Sequence, residues 1–239
     1  MAARNLQERI LEPEDIDDPA LGKEQLFGAL RGLTTINFLS ASAGSVWAPM
    51  VRLAQQRKQE KLRILDVATG GGDIPRALWR KGKRAGLKLE VLGIDISERA
   101  LEFAAQQCSD CGSDIRFEQR DVLRAGLPEG YDVIVSSLFL HHLTNQDALQ
   151  LLTAAARVAN QLVLINDLRR GRYGLTLAFF AGHILSSSPV VRVDALRSVR
   201  AAFTMREALE MAQIVGMQGA TVKRRWPARY LLTWERKVN

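Results

Sequence analysis

The chain is poor in the residues that would make it a stapled, metal-bound or membrane-spanning protein. Two cysteines in 239 residues cannot build a disulfide framework. They form a C-x-x-C pair, Cys108 and Cys111, but a structural zinc site needs four ligands, and no second pair or clustered histidine stands nearby. Cys108 follows Leu101, Ala104 and Ala105 at helical spacing and reads as a small core residue, so no metal is expected. The longest apolar stretch, Leu175 to Leu185, falls well short of the ~20 residues that cross a bilayer. Met1-Ala-Ala-Arg-Asn-Leu-Gln-Glu-Arg9 has no apolar signal core, and the expected location is the cytoplasm. Internal repeats and low-complexity tracts are also missing. Histidine is scarce, with three in all, yet two of them are adjacent: His141 and His142.

A hydrophobic content of 47% and a charged content of 25% are ordinary for a globular protein. The length suits one α/β domain with appended helices. A net charge of +7 raises the question of nucleic acid. The densest basic runs are Arg57-Lys58 with Lys61 and Arg63, and Arg80-Lys81 with Lys83, Arg84 and Lys88. These precede strands one and two and so lie on the amino edge of a parallel sheet, whereas ligands bind at the carboxyl edge. They read as a solvated face. Arg169, Arg170 and Arg172 follow the fifth strand and lie on the ligand edge.

The organising stretch is Leu62-Arg-Ile-Leu-Asp-Val-Ala-Thr-Gly-Gly-Gly-Asp73. Ile64, Leu65 and Val67 form a short β-favouring run, the run breaks at the glycines, and a helical pattern begins at Asp73. Glycine suits such a turn because it accepts positive φ and lets a ligand approach bare backbone. Pro75 fits the first turn of the helix behind it. A nicotinamide enzyme would carry G-x-G-x-x-G, but Pro75 fills the third glycine position. Leu89-Glu-Val-Leu-Gly-Ile-Asp95 reads as a second strand ending in an acid able to accept both ribose hydroxyls. Ile115 to Asp121 reads as a third, whose terminal acid suits an adenine amino group. Tyr131-Asp-Val-Ile-Val-Ser-Ser-Leu138 is a fourth, and Phe139-Leu-His-His-Leu143 stands at its exit.

With these motifs the chain resembles the class I S-adenosylmethionine-dependent methyltransferases, and within them the ubiquinone/menaquinone-biosynthesis group. The resemblance covers roughly residues 30–165 and, more loosely, the tail. It implies a doubly wound, seven-stranded, mostly parallel sheet of Rossmann-like type ending in an antiparallel hairpin, here Thr221–Trp226 and Arg229–Trp234. It implies S-adenosyl-L-methionine as cofactor and S-adenosyl-L-homocysteine as product. By the same resemblance Ala68, Gly70 and Gly72 approach the methionine part, and Asp66 orients that loop or the amino group through water. Asp95 holds the ribose with Ile96 packing on adenine. Asp121 and Val122 address the adenine edge, and Ser137 meets the methionine end.

The chain divides into an N-terminal helical lid segment (1–56) and a methyltransferase domain (57–239) with a helical insert at 173–203. Residues 1–20, with Glu12, Glu14, Asp15, Asp17 and Asp18, read as a loosely docked acidic lead-in. Glu24 to Gln56 is helical in pattern, and Asn37, Ser40 and Trp47 are lid candidates by resemblance, with core packing an equal reading for Trp47. Tyr173 to Leu185 is almost wholly apolar and must be buried or line a greasy cavity before Ser186-Ser-Ser-Pro189 breaks it. His183 on that helix reads as a satisfied core or lid histidine.

His141 and His142 are the catalytic candidates, since imidazole titrates near neutral pH and both follow the fourth strand. The resemblance places Arg-Asn at these positions in quinone C-methyltransferases, so the histidines favour oxygen as the methyl acceptor. Asn166 and Asp167 leave the fifth strand at the pocket as further substrate contacts. The expected reaction is O-methylation of a hydrophobic aromatic small molecule. Quinone-ring C-methylation is the alternative, and nucleic-acid methylation is disfavoured because Ser136-Ser-Leu-Phe139 lacks the Pro-Pro turn of nucleobase-amine methylases. A homodimer is left open.

Overall fold

In the computed structural model, which describes residues 6–184 and 188–237, strands and helices alternate as the periodicities predict. Strand β1 (Lys61–Val67) leads into helix α3 (Asp73–Ala85), β2 (Lys88–Asp95), α4 (Glu98–Gln107), β3 (Ile115–Gln119), the single turn α5 (Val122–Ala125) and β4 (Tyr131–Ser137). Then come α6 (Asn145–Val158), β5 (Ala159–Leu168), α7 (Arg172–Ile184), α8 (Pro189–Ala201), α9 (Met205–Ile214), β6 (Thr221–Arg225) and β7 (Arg229–Glu235). Two helices, α1 (Lys23–Leu39) and α2 (Ser42–Gln56), precede them. The seven strands lie in the order β3-β2-β1-β4-β5-β7-β6. Pairing is parallel from β3 through β5, and β7 is antiparallel to both β5 and β6. This is the expected doubly wound sheet with a terminal hairpin. Within the sheet the crevice side is the carboxyl edge of β1 to β5.

Side chains alternate across the strands and so build two apolar layers. On β1, Leu62 and Ile64 face α2 and α3, meeting Met50, Leu53, Ile74 and Leu78. Leu65 and Val67 face the opposite way, toward Leu151 and Leu152 of α6 and Met211 of α9. Burial on both faces is why the parallel strands read as unbroken apolar runs. Cys108 and Cys111 lie in the first of these layers as free thiols, and burial pushes the Cys108 thiol up to about 12. They are packing residues.

The helix starts follow local chemistry. Ser97 accepts the Ala100 N–H, Thr144 accepts from Asp147, and Thr204 with Glu207 forms a reciprocal capping box. Each such cap is worth about 1 kcal/mol. The helical stretch predicted for 24–56 is interrupted at Ser40-Ala41, where Ala41 takes φ 51° and turns the chain between α1 and α2. Trp47 packs against the α2/α3 layer, so its core reading holds.

The acidic lead-in differs from expectation. Residues 1–5 lie outside the described chain, but from Leu6 onward the segment is tied down. Arg9 donates to the carbonyls of Ala201, His141 and Leu143. The Asp15 and Ile16 N–H groups donate to Asp194 of α8, at 2.9 and 3.0 Å. Charge is the reason: the acids meet Arg197 and two histidines, partners far away in sequence. Arg170, expected on the ligand edge, is buried in a two-point pair with Glu207 and is structural.

Gly82 marks where α3 meets the following loop. A Cβ there would lie 2.7 Å from the Leu87 carbonyl oxygen and 2.9 Å from Leu89 Cγ. Gly82→Ala is expected to destabilise the fold by about 1–3 kcal/mol, because a backbone atom must give way. Thermal denaturation checks this, and an unchanged Tm would show that α3 shifts freely.

Candidate active site

At the end of β1 the backbone turns sharply, with positive φ at Ala68 (55°), Gly70 (51°) and Gly72 (72°). The two glycines serve different ends. Nothing lies within 4 Å of a Cβ placed on Gly70, so its face is open. A Cβ on Gly72 would sit 2.9 Å from Ala104 Cβ, so there glycine permits close packing on α4. Asp95, at the end of β2, holds this turn: Oδ2 accepts the Gly70 N–H at 2.8 Å and Oδ1 accepts the Ser97 N–H at 2.9 Å. Each oxygen keeps a second lone pair for a ligand hydroxyl. Burial raises the Asp95 carboxyl above its usual value, and the two N–H groups offset this only in part.

Asp66 lies behind the turn. It is buried, and its Oδ2 accepts the Thr69 hydroxyl at 2.6 Å. Burial raises it to about 7 despite Thr69, with Asp73 and Asp95 adding to the rise. Asp121 caps α5, accepting the Leu123 and Arg124 N–H groups. Ile96 is 64% exposed, an apolar plate beside the turn. Ser137 accepts the Asn166 side-chain amide at 2.8 Å.

Ala68, Gly70, Asp95, Ile96, Asp121 and Val122 line one cavity of ≈ 960 Å³; Asp66, Gly72 and Ser137 are not on its wall. Next to Ser137, Leu138 takes φ 58° and faces the cavity. The open backbone at Gly70 and the paired oxygens of Asp95 fit a nucleoside cofactor. From the cradle the cavity continues between α1, α7 and α8, where Leu33, Ile36, Leu177, Ala178, Ala181 and Val191 make it apolar. Helix α7 therefore lines the cavity with one face, as its composition predicted. Its other face carries exposed Tyr173, Phe179, Phe180 and Ile184. His183 turns back on its own helix, with Nδ1–H donating to the Phe179 carbonyl oxygen at 2.7 Å. Part of the Ser186–Pro189 break lies outside the described residues.

Both candidate histidines line the cavity beside Glu14 of the N-terminal strap. Their environments differ. His141 is buried, with Nδ1 2.6 Å from Asp167 Oδ1. The Asp167 oxygens also accept the Leu168 and His141 backbone N–H groups. Burial alone would raise the Asp167 carboxyl, but the His141 charge and hydrogen bond outweigh it and hold it low. An ionised Asp167 can only accept, so Nδ1 of His141 donates to it, and Nε2 faces Glu14 Oε1 at 3.6 Å. His142 has its Nδ1 3.0 Å from Asp17 Oδ2 and Nε2 3.7 Å from Glu14 Oε2. Burial would lower it, yet the Asp17 hydrogen bond and the charges of Glu14, Asp17 and Asp167 raise it to about 9. At neutral pH His142 is therefore an ion-pair partner of the strap acids.

Glu14, His141 and His142 are also the one group among the described residues whose ligand-type atoms lie within 4.8 Å of one another. A proton on His142 and a metal ion would compete for the same nitrogen. Both histidines line the cavity at the exit of β4, but no local pattern pointed to Glu14 and Asp17, whose strap reaches them from across the chain. Nor did one point to Asp167 as the group that orients His141. Another buried polar group, around Arg229, adjoins the glycine turn: Asn37 Oδ1 accepts from Arg229 at 3.0 Å, and Ser42 accepts from the same guanidinium.

Comparison with known proteins agrees with this geometry. Residues 64–161 match the methyltransferase domain family. The ubiquinone biosynthesis O-methyltransferase of Leptothrix cholodnii is 26% identical over 193 residues, 76% of this chain and 77% of that protein. A ubiquinone/menaquinone biosynthesis C-methyltransferase of Bordetella parapertussis is 29% identical, over 54% of this chain and 49% of its own length. Among solved structures, magnesium protoporphyrin IX methyltransferase from Synechocystis with bound SAH superposes with a TM-score of 0.59. It has 19% identity and covers 85% of this chain and 86% of its own, a likeness of fold. No helix among the described residues is long and apolar enough to cross a membrane.

The strap generates a pH-dependent prediction. His142 is raised from 6.5 to about 9 in the folded protein. Its contribution is therefore fully present below about 6.5 and is lost as pH rises through about 9. The Tm difference between wild type and His142→Gln should shrink between pH 7 and pH 10. A gap that stays constant over that range would refute the strap ion pair.

Proposed function

With the chain established as an S-adenosylmethionine-dependent methyltransferase, we propose that it methylates a hydroxyl group of a hydrophobic, aromatic small molecule. The observation that carries this reading is the Asp167–His141 pair, whose His141 stands on the wall of an apolar cavity continuous with the cofactor cradle. When bound, the cofactor supplies an electrophilic methyl carbon on a sulfonium. The protein's own task is then positioning and proton management.

In this reading the Asp95 carboxylate would accept from the ribose hydroxyls, and Ile96, Asp121 and Val122 would hold the adenine. The open backbone of Ala68 and Gly70 leaves room for the methionine part. Asp66 keeps Thr69, and hence the turn, in place from behind. The acceptor's ring lies among Leu33, Ile36 and Leu177, with its hydroxyl toward His141. His141 Nε2 would take the hydroxyl proton as the acceptor oxygen is methylated. Asp167 stabilises the imidazolium that results, having already fixed the tautomer that makes Nε2 the base. Water exclusion follows from the apolar wall and the docked strap. The basic runs at 57–63 and 80–88 stand on the far edge of the sheet, where Lys61 and Lys88 pair with Glu90, and none of their residues lines the cavity.

A panel of substituted phenols and hydroquinones with labelled cofactor tests the reaction, and product NMR separates an O-methyl from a ring C-methyl signal. His141→Gln is expected to lower kcat by about 10²–10⁴ while leaving the affinity for S-adenosylhomocysteine within about twofold. Asp167→Asn should move kcat in the same direction through the wrong tautomer. Full activity in His141→Gln, or a ring-methylated product, would overturn O-methylation through this base. In calorimetry Asp95→Ala should weaken S-adenosylhomocysteine by roughly tenfold or more, since a charged acceptor of two hydroxyls is lost.

A further inference from the structure

Arg229 is a buried cation that nothing in the proposed reaction uses. It opens β7 opposite Leu168, at the carboxyl edge of the sheet, and is only 3% exposed. Its hydrogen bonds go to neutral acceptors, Ser42 Oγ and Asn37 Oδ1. Asp167 and Asp73 act on it only as more distant charges. Burial lowers the guanidinium to about 10, the mark of a cation short of a counter-charge. A guanidinium has five donors in a planar fork, and these two bonds leave part of the fork unused. Arg229 is also on the wall of the main cavity, together with Ser40, Ala68 and Gly70.

Its place in the sheet says which part of a cofactor it would meet. The adenosine-facing residues Asp95, Ile96, Asp121 and Val122 stand at the ends of β2 and β3. In the order β3-β2-β1-β4-β5-β7, Arg229 lies on the opposite side of the glycine turn. Asn37 joins it to that turn, since Asn37 also acts on the carboxyl of Asp73, the residue after Gly72, which burial raises to about 6. The cluster thus presents a cation to the cavity beside the turn. The amino-acid end of S-adenosylmethionine carries a carboxylate of the opposite charge. An acidic methyl acceptor fits less well, because Glu14, Asp17 and Asp194 ring the histidine end of the cavity with negative charge.

We propose that Arg229 clamps the α-carboxylate of the cofactor, with Asn37 and Ser42 holding the guanidinium flat for a two-point contact. This rests on cofactor identity alone and not on the acceptor. It also explains why α1 and α2 are tied to the last strand: Asn37 ends α1's inner face and Ser42 begins α2, so both helices are set by the group that meets the cofactor. The competing account is a purely structural tie between these helices and the sheet.

Calorimetry with two probes separates the accounts: S-adenosylhomocysteine and its decarboxylated analogue, the same thioether nucleoside with the amine but without the carboxylate. The wild type is expected to bind S-adenosylhomocysteine about tenfold or more tighter than the analogue, the scale of a charge-assisted contact. Arg229→Gln should remove most of that preference, weakening S-adenosylhomocysteine by about that factor while the analogue binds as well as before or better. Arg229→Lys should recover part of the loss. A wild type that binds both probes equally overturns the proposal with no variant required. Equal weakening of both probes by Arg229→Gln does so too, and leaves the structural tie.

Discussion

The contact on which the active site depends is the grip of Asp95 on the Gly70 N–H. It ties the turn after β1 to the end of β2, and its second oxygen fixes the start of α4 through Ser97. One carboxylate thereby shapes the crevice and remains available to a ligand. The cost is a buried charge beside Asp66, which burial itself pushes to about 7. Such a cluster of acids persists only because backbone N–H groups and the Thr69 hydroxyl take up its lone pairs.

Around this crevice the protein arranges charge in two poles. Acids from the strap and from α8 gather at the histidine end, where Glu14 also accepts the Ser198 hydroxyl and Asp194 takes two strap N–H groups. The opposite pole is Arg229 with its amide and hydroxyl partners. Between them lies an apolar lining of leucine, isoleucine and alanine from three helices. The cavity thus offers a guanidinium at one end and carboxylates with two histidines at the other. Low dielectric inside such a lining strengthens each of these interactions relative to water.

The two histidines illustrate how neighbours decide function. They are adjacent in sequence and their ring centroids are 4.4 Å apart. Asp167 orients one of them through Nδ1, and Asp17 with Glu14 keeps the other protonated. The N-terminal segment is therefore part of the site's electrostatics as well as its cover.

Much of this was legible in the chain itself. The strand order of motifs, the glycine turn, the acids at the ends of β2 and β3, the helix caps and the apolar insert all follow from spacings of a few residues, because periodicity and capping are local. Local pattern placed Asp95, Gly70 and His141 at strand ends, and the family resemblance added Ile96. Other contacts join residues that no local pattern connects. His142 meets Asp17 across 125 positions, and Arg229 meets Asn37 across 192. The separate uses of Gly70 and Gly72, one open and one packed, and the withdrawal of Ser137 and Asp66 from the cavity wall depend on what the other elements place against them. Sequence by itself determined the fold and the edge of the sheet where chemistry occurs, since strand ends and turns are encoded locally. Only the tertiary structure decided which charges face one another there, because burial and pairing set protonation and are properties of the assembled neighbourhood.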